Sequence, residues 1–311
     1  MKKTLIALAV LAASGAAFAQ SSVTLYGIAD IALTKEKGTS AQLTSGGVSS
    51  SRLGFKGTED LGGGLKANFL LEEGIDLTSG ALKGNGFARQ AYVGLSGGFG
   101  EVKLGNVYTA YDDISGATNP VFDSVLAPTV VWASTGYISN PGSNIYYATP
   151  SFGGFSGAAS FSLDGSKNEV VSFHAKYENG PIYVGFGYQD QVDYAVASVS
   201  PDDVAAKFTR VNGSYDLGVV KLLAGYGQVK PEVGAKTNEY SFGVDVPLGS
   251  ALTLSTGLAS SKVDGGENMN SVGLGVAYSM SKRTTLYTGF RKENTAAGDT
   301  SMFAAGVKHT F

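Results

Sequence analysis

The feature that most constrains this chain is an alternation of apolar and polar residues that continues from Val23 to the last residue. In the first segment Val23, Leu25 and Leu33 share one phase, whereas Asp30 and Thr34 share the other. Successive side chains of a β-strand point to opposite faces of the sheet. The pattern therefore predicts strands whose two faces meet different surroundings.

Two length classes of connection separate the alternating segments. Seven short turns, most of them rich in Gly, occupy residues 60–64, 97–100, 150–154, 178–180, 216–218, 247–250 and 279–282. Eight longer polar connections occupy residues 35–48, 75–86, 108–142, 165–167, 190–205, 230–236, 263–268 and 294–299. Such an alternation predicts sixteen strands of the ~9 to 11 residues that a tilted membrane strand requires. We expect an all-β fold, a 16-stranded antiparallel transmembrane β-barrel.

Alternation alone also fits a secreted β-sandwich or solenoid, in which the apolar face would meet a protein core. The even strand number, the aliphatic face with Phe and Tyr near strand ends, and the polar opposite face favour lipid. After the first nineteen residues, no apolar run approaches the ~18 residues of a spanning helix. A membrane barrel is thus the preferred interpretation.

The N-terminal segment has a different composition. Two lysines follow Met1, an apolar run begins at Leu5, and residues 17–19 form a small-x-small cleavage site ending at Ala19. These features are typical of a secretory signal peptide. We expect residues 1–19 to be cleaved after bacterial export and residues 20–311 to form a single barrel domain.

Composition excludes several function classes. The chain has no Cys and two His, which excludes disulfides and thiolate chemistry and leaves little for zinc. Lys and Arg number 23 against 26 Asp and Glu, and nucleic-acid binding needs clustered positive charge. We expect no cofactor, no metal and no nucleic-acid partner.

An enzymatic barrel is an alternative of another class, with Ser172 and His174 as half of a hydrolase site. Residues two positions apart on a strand lie ~7 Å apart, whereas a nucleophile and its base must lie within ~3 Å. We expect no enzymatic activity. An adhesin or purely structural barrel is the other alternative, and a conductance measurement would distinguish it from a channel.

Five stretches, in order along the whole chain, resemble the general porins of Gram-negative bacteria such as Neisseria, Bordetella, Burkholderia and Comamonas. They are VTLYG at 23–27, SRLGFKGTEDLG at 51–62, RQAYVGL at 89–95, SKRT at 281–284 and VKHTF at 307–311. The resemblance implies a homotrimer in the outer membrane, in contact with lipid and lipopolysaccharide, that passes ions and small hydrophilic solutes. It also implies that the terminal Phe311 is the signal read by the barrel-assembly machinery.

The resemblance further implies a constriction inside the barrel, because the third long loop of these porins folds inward. Here that loop is the connection at 108–142, whose aromatic and aliphatic residues favour an ordered structure. An extracellular flap with solvated acids is the alternative. The acids that we expect in the constriction are Asp112, Asp113 and Asp123. The bases that we expect on the facing wall are Arg52, Arg89, Lys56, Lys66 and Lys103.

Arg89 departs from the simple pattern. Strict alternation places it in phase with Ala91 and Val93, facing lipid, so we predict a β-bulge between Arg89 and Ala91 that turns it inward. A third wall arginine of related porins corresponds to Asn140 here, which weakens any inference of strong anion preference. We expect a mild preference for anions.

Overall fold

The computed structural model describes residues 22–163, 169–192, 205–296 and 298–311. The expected signal peptide and the connection at 165–167 lie outside these residues, as does most of the connection at 190–205. The described chain forms sixteen barrel strands: β1 (Ser22–Glu36), β2 (Arg52–Gly62), β3 (Leu65–Ile75), β4 (Gln90–Gly97), β5 (Gly100–Asn106), β6 (Asn144–Ala148), β7 (Phe155–Ser162), β8 (Glu169–Asn179), β9 (Ile182–Val192), β10 (Ala206–Asp216), β11 (Lys221–Pro231), β12 (Thr237–Leu248), β13 (Leu252–Val263), β14 (Asn268–Ser279), β15 (Thr284–Thr295) and β16 (Gly298–Thr310). Two shorter strand segments, Gln42–Ser45 and Leu82–Lys83, belong to the first two long loops.

The sheet closes on itself because β1 pairs with strands on both of its sides. Near its start Val23 lies opposite Gly57 of β2, and near its end Ile31 lies opposite Val307 of β16. The backbone N–H and C=O of Phe311 each form a 3.1 Å hydrogen bond with Gly27, which extends the seam to the last residue. All pairings between successive barrel strands are antiparallel, so the predicted 16-stranded barrel is confirmed.

The two faces of the wall differ as the alternation predicts. Large apolar side chains such as Val23, Phe242 and Leu258 lie exposed on the outside, with 68 %, 52 % and 59 % of their surface accessible. The inner face carries buried polar residues such as Ser172 and Glu239. In the described part of the chain, no helix is long and apolar enough to cross a membrane.

The loop between β5 and β6 lies inside the barrel. It contains one helical turn, α1 (Asp112–Ser115), and three short 3-10 segments, Val121–Asp123, Pro128–Val131 and Ala133–Gly136. Its apolar side chains pack on the inner wall, where Tyr111 contacts the cluster of Phe208 and Val229 and where Trp132 contacts Ala259. The hydrophobic core of this protein therefore lies between the loop and the wall.

Glycines on the inner wall let the loop approach closely. Pro120 lies over Gly243 and Gly257, where an added Cβ would come within 2.5 Å of the Pro120 ring at either position. No side chain larger than hydrogen fits beneath this ring without displacing it. Part of the high Gly content therefore serves the packing of the loop as well as the turns.

Candidate functional site

Hydroxyl groups of the inner wall bind the backbone of the third long loop. Ser160 and Ser172 accept hydrogen bonds from the N–H groups of Ala110 (3.1 Å) and Tyr111 (3.3 Å). Further along, Ser255 accepts one from Val121 N–H at 2.8 Å. A buried loop has polar backbone groups that need partners, and the polar inner face of the barrel supplies them.

Charged wall residues strengthen this attachment. Glu239 accepts hydrogen bonds from the N–H of Ser134 (3.1 Å) and from its hydroxyl. Arg210 donates to the Ser134 hydroxyl at 2.8 Å and to the carbonyl of Ser115, and its guanidinium lies 4.7 Å from the Trp132 ring centroid. These groups therefore hold the loop rather than face the permeating solute.

The first long loop is held in a similar way by Asp30, a fully buried carboxylate on β1. Its oxygens accept hydrogen bonds from the N–H groups of Gly47 (3.1 Å), Val48 (3.0 Å) and Ser49 (2.7 Å), and from the Tyr287 hydroxyl (2.5 Å). These bonds fix the segment immediately before Arg52.

A cavity of about 540 Å³ lies where the third long loop faces the starts of β2 and β4. Arg52 and Arg89 border it on the wall side, and Asp112, Asp113 and Asp123 border it on the loop side. We call it the constriction cavity. The structure thus brings together five of the residues that the sequence placed in the constriction.

The two wall arginines share one carboxylate, that of Glu72. Arg89 Nε donates to Glu72 Oε1 at 2.7 Å, and Arg52 Nη1 lies 3.8 Å from the same oxygen. The other oxygen accepts a 2.7 Å hydrogen bond from the Tyr26 hydroxyl. The Glu72 side chain is only 4 % exposed. Its single negative charge offsets one of the two arginines, which leaves a net positive charge on this wall.

Arg89 faces the lumen, and the paired residues of β4 show no register shift that would mark the bulge predicted between Arg89 and Ala91. β4 starts at Gln90, opposite Glu72, and pairs with β3 in regular register onward from there, with Ala91 opposite Leu71. Arg89 precedes the strand, so its side chain is not bound by the alternation. Its N–H donates to Glu72 O at 3.2 Å and its side chain turns back to the Glu72 carboxylate.

Tyrosine hydroxyls hold two of the loop acids. Tyr137 donates to Asp112 Oδ1 and Tyr146 donates to Asp113 Oδ2, both at 2.5 Å. His174 Nδ1 lies 3.5 Å from the same Asp113 oxygen. Burial raises the pKa of the Asp112 carboxyl to about 6 and also raises that of Asp113.

Asp123 occupies a strained turn at the tip of the loop. Val121, Phe122 and Asp123 have φ values of 56°, 62° and 49°, a left-handed conformation that is uncommon for residues other than Gly. Such strain costs ~1–3 kcal/mol per residue and requires support from its surroundings. The buried Val121 side chain and a 2.6 Å hydrogen bond from Asn119 Nδ2 to Asp123 provide that support. Burial raises the pKa of Asp123 as well.

The three predicted lysines do not border the constriction cavity. Lys103 lies between the rings of Tyr92 (5.4 Å) and Tyr146 (4.8 Å) and pairs with Glu101 at 3.2 Å. Lys56 lies 5.1 Å from the Tyr26 ring. Lys66 is exposed close to the short-turn end of β3. These lysines belong to the channel wall between the constriction and the short-turn end.

Asn140 connects the third loop to the second. Its Nδ2 donates to the carbonyls of Ala88 (2.9 Å) and Arg89 (3.2 Å). The residue that takes the place of a third wall arginine therefore fixes the backbone at Arg89 and adds no charge to the cavity.

Three residues of the site, Glu72, Tyr137 and Tyr146, were not predicted from the sequence to lie at the constriction. The alternation does place Glu72 in the lumen phase, but its position beside Arg52 emerges only from the strand pairing, in which Gly74 lies opposite Arg52. The tyrosines carried no comparable signal, because their partners lie 25 and 33 residues away.

The residues of the hydrolase alternative bind the loop. His174 Nδ1 lies 2.7 Å from the carbonyl of Ala110, and Ser172 shares a 2.8 Å hydrogen bond with Ser160. Within the described ranges, no group of three acidic, His or Cys side chains is placed to hold a metal ion.

A closed barrel with an apolar exterior and a polar lumen, narrowed by a charged inward loop, defines a diffusion channel of the outer membrane. The chain belongs to the Gram-negative porin family, whose model matches residues 4–298. It is 39 % identical to outer membrane porin protein 32 of Delftia acidovorans, over 80 % of this chain and 77 % of that protein. It is 30 % identical to an outer membrane porin protein of Bordetella pertussis, over 87 % of this chain and 88 % of that protein.

Solved structures agree with this assignment. The anion-selective porin from Comamonas acidovorans matches with a TM-score of 0.81 and 26 % identity, over 94 % of this chain and all of that one. OmpT of Vibrio cholerae in its trimer form matches with a TM-score of 0.72 at 17 % identity, over 94 % and 99 %, which supports the fold. The protein is an outer-membrane porin, a passive channel.

Proposed function

We propose that this porin passes small hydrophilic solutes and ions with a mild preference for anions, without catalysis. The observation that carries the proposal is the pair of guanidinium groups at the constriction cavity, Arg52 and Arg89, which share a single buried acid. Fixed charges at a narrow aqueous passage bias which ions enter it. The selectivity of the Comamonas porin has the same sign.

The preference is mild because acids border the same cavity. Asp112, Asp113 and Asp123 face the arginines across it, and opposed charges create a transverse field that orients dipolar solutes. Lys56 and Lys66 add positive charge to the wall on the short-turn side of the constriction. Two arginines and two lysines face one glutamate and three aspartates, so the formal charges cancel. Burial raises the pKa of the three aspartates and so reduces their negative charge, which leaves a mild preference for anions.

We further propose the assembly path that the family resemblance implies. Residues 1–19 direct export and are removed, leaving 20–311 as the mature barrel. Phe311, exposed over 48 % of its surface at the barrel seam, is the signal for the barrel-assembly machinery. The mature protein is a homotrimer that contacts lipid and lipopolysaccharide.

Reversal potentials in a salt gradient test the selectivity. Purified, refolded protein in a planar bilayer should show discrete conductance steps and a reversal potential on the anion side. Clear cation preference would overturn the sign, and absence of steps would favour an adhesin or structural role. A heat-labile band of about three times the monomer mass in native electrophoresis should accompany the conducting form.

A further inference from the structure

A recess of about 540 Å³ lies in the outer face of the barrel, across β12 to β15. Its floor is apolar and includes Tyr240, Phe242, Leu258 and Val272. These side chains are 43 % to 59 % exposed on the lipid-facing side of the wall. The recess therefore opens toward the surrounding membrane and not toward the lumen.

Two lysines stand at the long-loop edge of this recess. Lys292 lines it directly, and Lys262 lies two residues beyond the lining residue Ser260, about 7 Å along β13. Lys262 and Lys292 share the outward phase of Leu258 and of Phe290, respectively. In outer-membrane barrels the long loops face outside, so both ammonium groups lie at the level of the outer head groups.

Both lysines can accept an anionic partner. Lys262 is exposed, and Asp264, the next acid in the chain, pairs instead with Lys236 at 3.7 Å. Lys292 pairs with Asp299 at 3.3 Å but remains 54 % exposed. An ammonium group has three donors, so one ion pair leaves others for a second anion.

The two ends of the outer face differ in charge along these strands. Lysines face outward at the long-loop end of β10, β11, β13 and β15: Lys207, Lys230, Lys262 and Lys292. At the short-turn end the outward positions are apolar or aromatic: Tyr215, Leu222, Leu248, Leu252, Tyr278 and Leu286. Acids face outward at the long-loop end as well, Asp190 beside Lys207 at 3.4 Å and Asp299 beside Lys292 at 3.3 Å, but the four lysines outnumber them, which favours an anionic head group in this leaflet.

We propose that Lys262, Lys292 and the recess beneath them bind one phosphorylated lipid of the outer leaflet, with the phosphate on the lysines and an acyl chain in the recess. The apolar floor and the basic edge complement an amphiphile of that charge. This site deepens the lipid partnership proposed above by naming the residues that make it.

The test uses refolded full-length barrel in detergent and native mass spectrometry with bisphosphorylated lipid A, dephosphorylated lipid A and inorganic phosphate as probes. The unmodified protein should retain the phosphorylated lipid at least about fivefold more tightly than the dephosphorylated form. Equal retention of both forms would overturn the proposal without any variant. Displacement of the lipid by millimolar inorganic phosphate alone would also overturn it.

Variants separate the two parts of the site. The double change Lys262→Gln and Lys292→Gln should lower affinity for the phosphorylated lipid about fivefold or more, whereas Lys282→Gln at the opposite end should not. Ser260→Phe, which fills the recess, should weaken both lipid forms. An unchanged lipid affinity in the double variant would overturn the proposal. So would a double variant that no longer forms trimers but still binds the lipid, because this face would then contact a second copy of the chain. Conductance of the same samples reports separately on the channel function.

Discussion

Arg89 Nε lies 2.7 Å from Glu72 Oε1, so the residue immediately before β4 is paired with a buried acid of the neighbouring strand. The bond turns toward the lumen a side chain that strict alternation would direct at lipid. Arg52 lies 3.8 Å from the same oxygen, so the Glu72 carboxylate positions both arginines of the wall and offsets part of their charge.

Replacing Arg52 with Ser should move selectivity toward cations. A unit charge ~5 Å from a permeating ion changes its energy by somewhat under 1 kcal/mol in water, which corresponds to a factor of about 2 to 4 in the permeability ratio. Reversal potentials in a salt gradient measure the ratio. Arg283→Ser, in the exposed turn before β15, is the matched control. An unchanged permeability ratio in the Arg52 variant would show that this residue does not act at the constriction.

Glu72→Gln should act in the opposite direction. Removing the one negative charge that the arginines share should raise the anion-to-cation ratio by a similar factor. Arg89 should also lose its fixed position, which increases current noise in single-channel records. Glu267→Gln, in the exposed loop after β13, removes the same charge away from the lumen. A shift toward cations in the Glu72 variant would contradict the assigned role.

Selectivity should depend on pH near 6. Asp112, whose pKa burial raises to about 6, is charged above that pH and neutral below it. Lowering the pH from 7 to 5 should therefore increase anion preference. Asp113 and Asp123 face the same cavity and contribute in the same direction. In Asp112→Asn the step should shrink, and an identical pH profile would exclude Asp112 as its main source.

Gly257→Ala should displace the third loop. The new methyl group would meet Pro120 at 2.5 Å, and overpacking of this kind costs ~1–3 kcal/mol. We expect a lower unfolding temperature in detergent and an altered single-channel conductance. The control is Gly98→Ala, where the added Cβ meets open space. Wild-type behaviour of both variants would mean that the loop does not rest on Gly257.

Phe311→Ala should reduce assembly in cells without preventing refolding in detergent. The residue closes the seam through its backbone bonds to Gly27, and these survive loss of the ring. The amount of protein in outer-membrane fractions should fall several-fold, while refolded protein keeps its heat-modifiable migration. Phe303→Ala, on the same face of β16, is the comparison. An equal loss in both variants would point to a general effect of removing an aromatic side chain.

Much of the architecture follows from the sequence because strand period is a local property. Alternation gave sixteen strands, the lipid-facing and lumen-facing phases, and the inward direction of Arg52. The assignment of the connection at 108–142 to the barrel interior came from family resemblance, supported by its aromatic content. The structure has the sixteen strands, and it places the loop inside the barrel, where Tyr111 and Val121 are fully buried against the wall.

The sequence by itself determined where the chain crosses the membrane and which residues each crossing turns inward, because the pleat fixes every second side chain. Only the tertiary structure decided how the constriction is charged. Arg89 lies beyond the last paired residue, where the pleat no longer constrains it, and its direction depends on Glu72, 17 positions earlier. Likewise Ser134 is held by Glu239, 105 positions later, a contact that exists only once the barrel has closed around the loop.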